Sequence, residues 1–144
     1  MTPGYSGTPL AAKLGIRAGQ RLELLGAPHE WSIADLPEDV VVTRRRSATP
    51  ANVVVAFFQN ATSLNQRITE LSTAITTDGA LWIAWPRKAA GHVSDLTDNV
   101  VRGAVLPLGL VDVKVAALDD DWSALKMVWR KELRAGRRSR DELI

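Results

Sequence analysis

A chain of 144 residues with 46% hydrophobic and 24% charged side chains has the size and balance of one folded domain, which excludes a wholly disordered chain. It contains no cysteine, so disulfides, zinc thiolates, iron–sulfur ligation and thiol nucleophiles are excluded. The formal net charge of +2 sits in residues 131–144, where five cations face three acids; the remainder is neutral, which argues against a basic globular face.

Thr8-Pro9 suits the start of a short helix, with Thr8 as N-cap and Pro9 as the first helical residue. Leu10, Ala11 and Leu14 form its apolar face and Gly15 ends it. Arg21–Leu25 reads as a first strand, broken by Gly26-Ala27-Pro28. Trp31–Leu36 reads as one helical turn stopped by Pro37. Val40–Thr43 is a second short strand, and Arg44-Arg45-Arg46-Ser47 a polar loop. Asn52–Phe58 is almost wholly apolar and β-favouring, as in a strand buried on both faces of a parallel sheet.

Thr62 or Ser63 caps a helix running to about Ile75, with Leu64, Ile68, Leu71 and Ile75 on one stripe. Asp78-Gly79 reads as a turn. Ala80–Trp85 is a second fully apolar strand, closed by Pro86. A helix capped by Ser94 or Asp95 follows to about Leu108, with Leu96, Val100, Val101, Ala104 and Leu108 inward. Leu110–Ala117 alternates as an edge strand does, its valines opposed to Asp112 and Lys114. Asp119-Asp120-Asp121 is a turn, and Ser123–Arg130 returns as the second arm of an antiparallel hairpin.

This order predicts an α/β domain over residues 1–130. Its sheet is mostly parallel, with about six strands, helices on both faces and a C-terminal antiparallel hairpin. Residues 131–144 are expected to be a flexible basic tail. Residues 1–20 have no basic start followed by an apolar run, and no apolar stretch approaches the ~18 residues of a spanning helix. The expected compartment is the cytoplasm, without membrane attachment.

Leu14–Leu25, Thr77–Trp85 and Gly109–Arg130 resemble segments of class I methyltransferases, a Rossmann-like family. The resemblance implies a sheet with S-adenosylmethionine held at the turn after the first strand. The departure lies at that turn. Gly26-Ala27-Pro28-His29-Glu30 has one glycine and then a proline that offers no N–H. Between Leu25 and Asn52 there is room for only one strand. The cofactor-binding half is therefore the shortened half, and no cofactor is expected. A second pattern comprises Tyr5-Ser6-Gly7-Thr8-Pro9-Leu10 with Lys13-Leu14-Gly15, Trp85-Pro86-Arg87-Lys88 and Asp95-Leu96-Thr97. It resembles a family of small bacterial proteins of unknown function, over residues 4–130, and implies no activity.

Ligands of open α/β sheets gather at the carboxyl ends of the strands, where strand order reverses. Three places qualify: Gly26–Glu30 after the first strand, and, as the candidate rim, Gln59 and Asn60 after the central strand with Trp85, Arg87 and Lys88 after the next. Arg87 and Lys88 suit an anion and Trp85 a stacked ring; the alternative is a core tryptophan with two solvated cations. Ser6, Gly7 and Thr8 form a second candidate, because a glycine beside a helix N-terminus can present N–H groups to phosphate. The alternative there is an ordinary capped helix. His29 and His92 lie far apart in sequence with no carboxylate at ligand spacing, so no metal site is expected.

Three readings follow. The first is a non-catalytic small-ligand or protein-interaction module on a degenerate methyltransferase-like fold. The second is a reduced enzyme, a methyltransferase or other anion-handling catalyst, at the Gln59 and Trp85–Lys88 rim. The third is nucleic-acid binding through Arg44, Arg45, Arg46 and the tail, which is the least favoured. Trp122 and Trp129 in the hairpin mark a surface for self-association if that edge is uncovered.

Overall fold

The computed structural model describes residues 8–142, with side chains through residue 136. Six strands form one sheet: β1 (Arg21–Leu25), β2 (Val41–Thr43), β3 (Ala51–Phe57), β4 (Ile75–Pro86), β5 (Leu110–Ala117) and β6 (Trp122–Trp129). Their order across the sheet is β2-β1-β3-β4-β6-β5. The first four run parallel, and β6 pairs antiparallel with both β4 and β5. The predicted sheet and its closing hairpin are both present.

The apolar runs explain which strands are central. Val53, Val54, Val55 and Ala56 on β3, and Leu81, Trp82, Ile83 and Ala84 on β4, are all buried. A strand can be apolar on successive residues only where both of its faces are covered. On one face lie helices α2 (Ala61–Ser72) and α3 (Asp98–Val105), packed over Val54, Leu81, Ile83 and Trp85. On the other lie the single turn α1 (Leu10–Lys13) and the irregular segment 26–40, which seats Trp31 and Ile33 against Val53, Val55, Phe57 and Trp82. Helices therefore lie on both faces, but one face is closed mainly by loop.

Several boundaries differ from the sequence reading for identifiable reasons. Asp78-Gly79 is not a turn. The chain continues as β4 from Ile75, and the extra residues are absorbed as a bulge where the β3 register jumps from Ala51↔Ile75 to Val53↔Ala80. A Cβ on Gly79 would sit 2.8 Å from the Asn52 carbonyl oxygen, so the bulge needs a residue without one. Thr8 does not cap α1; Pro9 occupies the N-cap without a side-chain bond. Segment 31–36 forms no helical turn. Val100 is 40% exposed rather than inward. A register shift between Asp112 and Lys114 leaves both Val113 and Val115 half exposed, so the β5 alternation does not define a dry face.

Trp122 and Trp129 turn to opposite faces of the sheet and are both buried, so they form no exposed patch. Where the sequence reading placed a flexible tail, residues Lys131–Glu142 form helix α4. Its Leu133 approaches Gly109 and its Arg134 Nε donates to the Trp129 carbonyl at 3.0 Å. No helix of the described residues is long and apolar enough to cross a membrane.

The short flank of the sheet carries one buried charge. Glu23 on β1 is 1% exposed, and Arg46 Nη1 meets both its oxygens at 2.8 and 3.0 Å. The Ser47 N–H also donates to Glu23 at 3.3 Å, so loop 44–50 is folded onto β1. Removing the cation would strand a carboxylate that has no access to water. Arg46→Ala should cost about 3 kcal/mol in urea unfolding, and Glu23→Gln, which leaves no buried charge, should cost less.

Candidate functional site

The strand order reverses between β1 and β3: the chain leaves β1 toward β2 on one side and returns to β3 on the other. Open sheets bind ligands in the crevice at this point. Here β1 ends in Gly26, with φ +71°, where a Cβ would lie 2.9 Å from the Phe57 carbonyl oxygen. The two strand ends are thus pressed together. The following loop turns back at once, the Trp31 N–H donating to the Pro28 carbonyl at 2.9 Å.

That turn places Trp31 across the strand ends. Its ring packs edge-on against Phe57, with centroids 4.8 Å apart, and Phe57 packs edge-on against Trp122 at 4.9 Å. Trp122 pairs with Pro86, so the aromatic row runs from the loop after β1 to the end of β4. Edge-to-face contacts of this kind add about 0.5–1.5 kcal/mol each beyond burial. Trp31 Nε1 donates to Asp119 Oδ2 at 2.9 Å, so its one polar atom is satisfied. Asp119 Oδ1 accepts the N–H groups of Asp121 and Trp122, both at 2.8 Å. One carboxylate therefore ties the loop after β1 to the β5–β6 hairpin.

The five rim residues predicted from sequence do lie at the carboxyl ends of β3 and β4, but most are already engaged. Asn60 is the N-cap of α2, its Oδ1 accepting from Ser63 N at 2.9 Å. The next donor of that helix, Ala61 N, bonds Asp95 Oδ1 at 2.8 Å. Asp95 thus caps α2 rather than its own helix, which starts later at the Thr97 cap. The Gln59 carbonyl accepts from Ser94 Oγ at 2.8 Å, and its side chain borders a cavity of about 260 Å³ with Pro86, His92, Asp121 and Trp122. Arg87 Nη1 donates to the carbonyls of Asp119 and Asp120 at 3.1 and 3.3 Å, so its guanidinium holds the hairpin turn.

Trp85 is 7% exposed and belongs to the core beneath α3. Its rim opens into a groove of about 410 Å³, bordered by Lys88, Leu96, Thr97, Asp98, Val115 and Ser123. That volume is in the range of small-ligand sites. Lys88 is exposed at its edge. Thr8 is exposed, whereas Ser6 and Gly7 lie outside the described residues.

Sequence reasoning missed Trp31 and Asp119, which it assigned to a helical turn and a hairpin turn. It also missed the contact of His92 Nε2 with Asp121 Oδ1 at 2.9 Å, because 29 residues separate the pair. No cluster of three or more His, Asp or Glu side chains fit for a metal occurs among the described residues. Of the three loop arginines, Arg44 donates to the Pro28 and Trp31 carbonyls and Arg46 holds Glu23.

By sequence, the chain matches no family model and no curated protein. Solved structures do match it. It superposes on an O-methyltransferase family 2 protein from Planctomyces limnophilus with a TM-score of 0.52 and 9% identity, over 90% of this chain and 54% of that one. It superposes on the Methanococcus jannaschii fibrillarin pre-rRNA processing protein with a TM-score of 0.51 and 12% identity, over 85% and 69%. The fold is methyltransferase-like. At such identities the match concerns the fold alone, and the resemblance to a small bacterial family rests only on the residues quoted for it.

The chain's own residues do not fit S-adenosylmethionine at the reversal point. The ring of Trp31 lies against Phe57, Pro28 has no N–H to offer, and the Pro28 carbonyl is taken by Arg44. Trp31→Phe keeps most of the volume but loses the bond to Asp119, and should cost about 1–2 kcal/mol. Trp31→Ala should cost about 3–5 kcal/mol. Guanidinium denaturation followed by far-UV circular dichroism measures both.

Proposed function

We propose that this chain is a non-catalytic binding module, in which the usual cofactor crevice of the fold is filled from within. The Trp31–Phe57–Trp122 row, fastened by Asp119, carries this reading. A residue that fills a ligand's place with a satisfied polar atom stabilises the protein without the ligand. The binding surface is then the open groove beside Trp85. Val115 and Leu96 give it an apolar wall, Arg87 and Lys88 give it two cations, and Asp98 gives it one acid. A compact ligand with an anionic group, or a partner side chain of that character, suits Lys88. Arg44 and Arg46 are committed within the fold, which weighs against nucleic acid as the partner.

One observation favours the competing reading of a reduced enzyme. His92 is held by Asp121 beside the cavity that Gln59 borders, and a carboxylate-oriented imidazole is the arrangement a general base requires.

Two titrations separate the readings. S-adenosylmethionine followed by calorimetry should give no saturable heat up to about 1 mM, a limit of about −4 kcal/mol in affinity. A fragment library followed by nitrogen-edited NMR should shift the amides of Leu96, Thr97, Val115 and Ser123. Micromolar binding of S-adenosylmethionine, with shifts centred on Gly26–Trp31, would show an open crevice and overturn the proposal.

A further inference from the structure

The amino ends of the strands carry a second opening, at the other end of the sheet from the Trp85 groove. It holds about 360 Å³. Its polar lining is rich in donors, with Thr76 and Asp78 beside them. Gln20 Oε1 accepts the Arg17 N–H at 2.9 Å, and Asn52 Oδ1 accepts the Arg21 N–H at 2.8 Å. With each amide oxygen held by a backbone N–H, the NH2 group of each remains as a donor at the groove. Arg17 and Lys126 border the same space, and neither has a salt bridge among the described residues. The lining has one acid, Asp78, which has a partner of its own. Leu14, Ala80 and Val128 supply apolar wall.

A third cation strengthens the field there. Lys114 stands directly across the β5–β6 ladder from Lys126. Their ammonium groups lie 5.8 and 5.9 Å from the centre of the Trp82 ring. Like charges placed opposite each other on a sheet repel. Burial, and then Lys114, hold the Lys126 ammonium below the usual lysine range. The ring offsets part of this, and neither ammonium has an ion pair among the described residues.

We propose that this groove binds a compact phosphate-bearing ligand. Lys126 and Arg17 hold the anion, the Gln20 and Asn52 amides donate to its oxygens, and the apolar wall takes the ligand's organic part. A bounded groove with Asp78 at its border favours a small phosphate over an extended polyanion.

The test uses the full chain at low ionic strength, titrated with inorganic pyrophosphate, with glycerol phosphate and with duplex DNA, and followed by NMR. The proposal expects saturable shifts of the Gln20 and Asn52 side-chain amides with at least one of the small phosphates. Saturation by glycerol phosphate but not by pyrophosphate would identify an ester as the ligand class; the reverse would identify a free phosphate. Lys126→Met keeps the stem over Trp82 and should weaken binding about tenfold or more. Arg17→Gln, at an exposed position, should do the same, while Arg67→Gln on α2 should leave it unchanged. Without ligand, Lys126→Met should melt no lower than the unsubstituted chain. Saturation by DNA alone, non-saturating shifts on every surface cation, or full affinity in both Lys126→Met and Arg17→Gln would overturn the proposal. None of these outcomes depends on the state of the Trp31 crevice.

Discussion

Trp31 brings one indole N–H into a row of aromatic rings, and Asp119 accepts it. The carboxyl end of the sheet is arranged around that bond. A sheet that reverses its strand order leaves a crevice, and whatever fills it must be large, mostly apolar and satisfied at its polar atoms. Trp31 meets all three requirements only because Asp119 sits where the hairpin turn places it. Asp119 sits there because its other oxygen accepts two backbone N–H groups of the same turn. Arg87 adds a second fastening from the β4 side. Loop, central strands and hairpin are thereby joined through side chains bonded within the fold.

The contraction of the other flank follows from the same economy of chain. Between β1 and β3 there is one three-residue strand and no helix. The face of β1 toward α2 is closed instead by loop 44–50, drawn in by Arg46 onto Glu23. The segment leading to β2 bends through Asp35 and Asp39, both at positive φ. Short acidic side chains tolerate that region better than most. Loops pinned by side chains thus stand where regular elements would otherwise lie. Open space lies beside Trp85, at the amino ends of the strands, and in the smaller cavity between Gln59, His92 and Trp122.

The sheet was legible because β3 and β4 announce themselves. A run such as Val53–Ala56 has no stable place except between two covered faces. The hairpin and the missing glycine loop were legible for similarly local reasons. What could not be read was tertiary. Asp78-Gly79 is a turn by every local rule, and only the neighbouring Asn52 carbonyl makes it a bulge. Asp95 is a plausible cap for its own helix, yet it reaches back to Ala61. Asn60 and Arg87 fall at the predicted rim and are consumed there by the fold. The triple arginine suggested a solvated loop, whereas Arg46 answers a glutamate on β1. Each misreading exchanged a local partner for a distant one, and one sequence carries no record of distant partners.

On the proposed reading, Trp31 closes the crevice as a fixed element rather than covering it as a mobile one. Hydrogen exchange at the Trp31 indole N–H tests this most directly, compared in the same sample with the backbone amides of Val54 and Val55. If the row is part of the folded core, that proton should exchange only with global unfolding, as slowly as the β3 amides. If it exchanges orders of magnitude faster while β3 stays protected, the loop opens from an intact sheet. Trp31 would then be a lid over an available crevice, which contradicts a crevice filled from within.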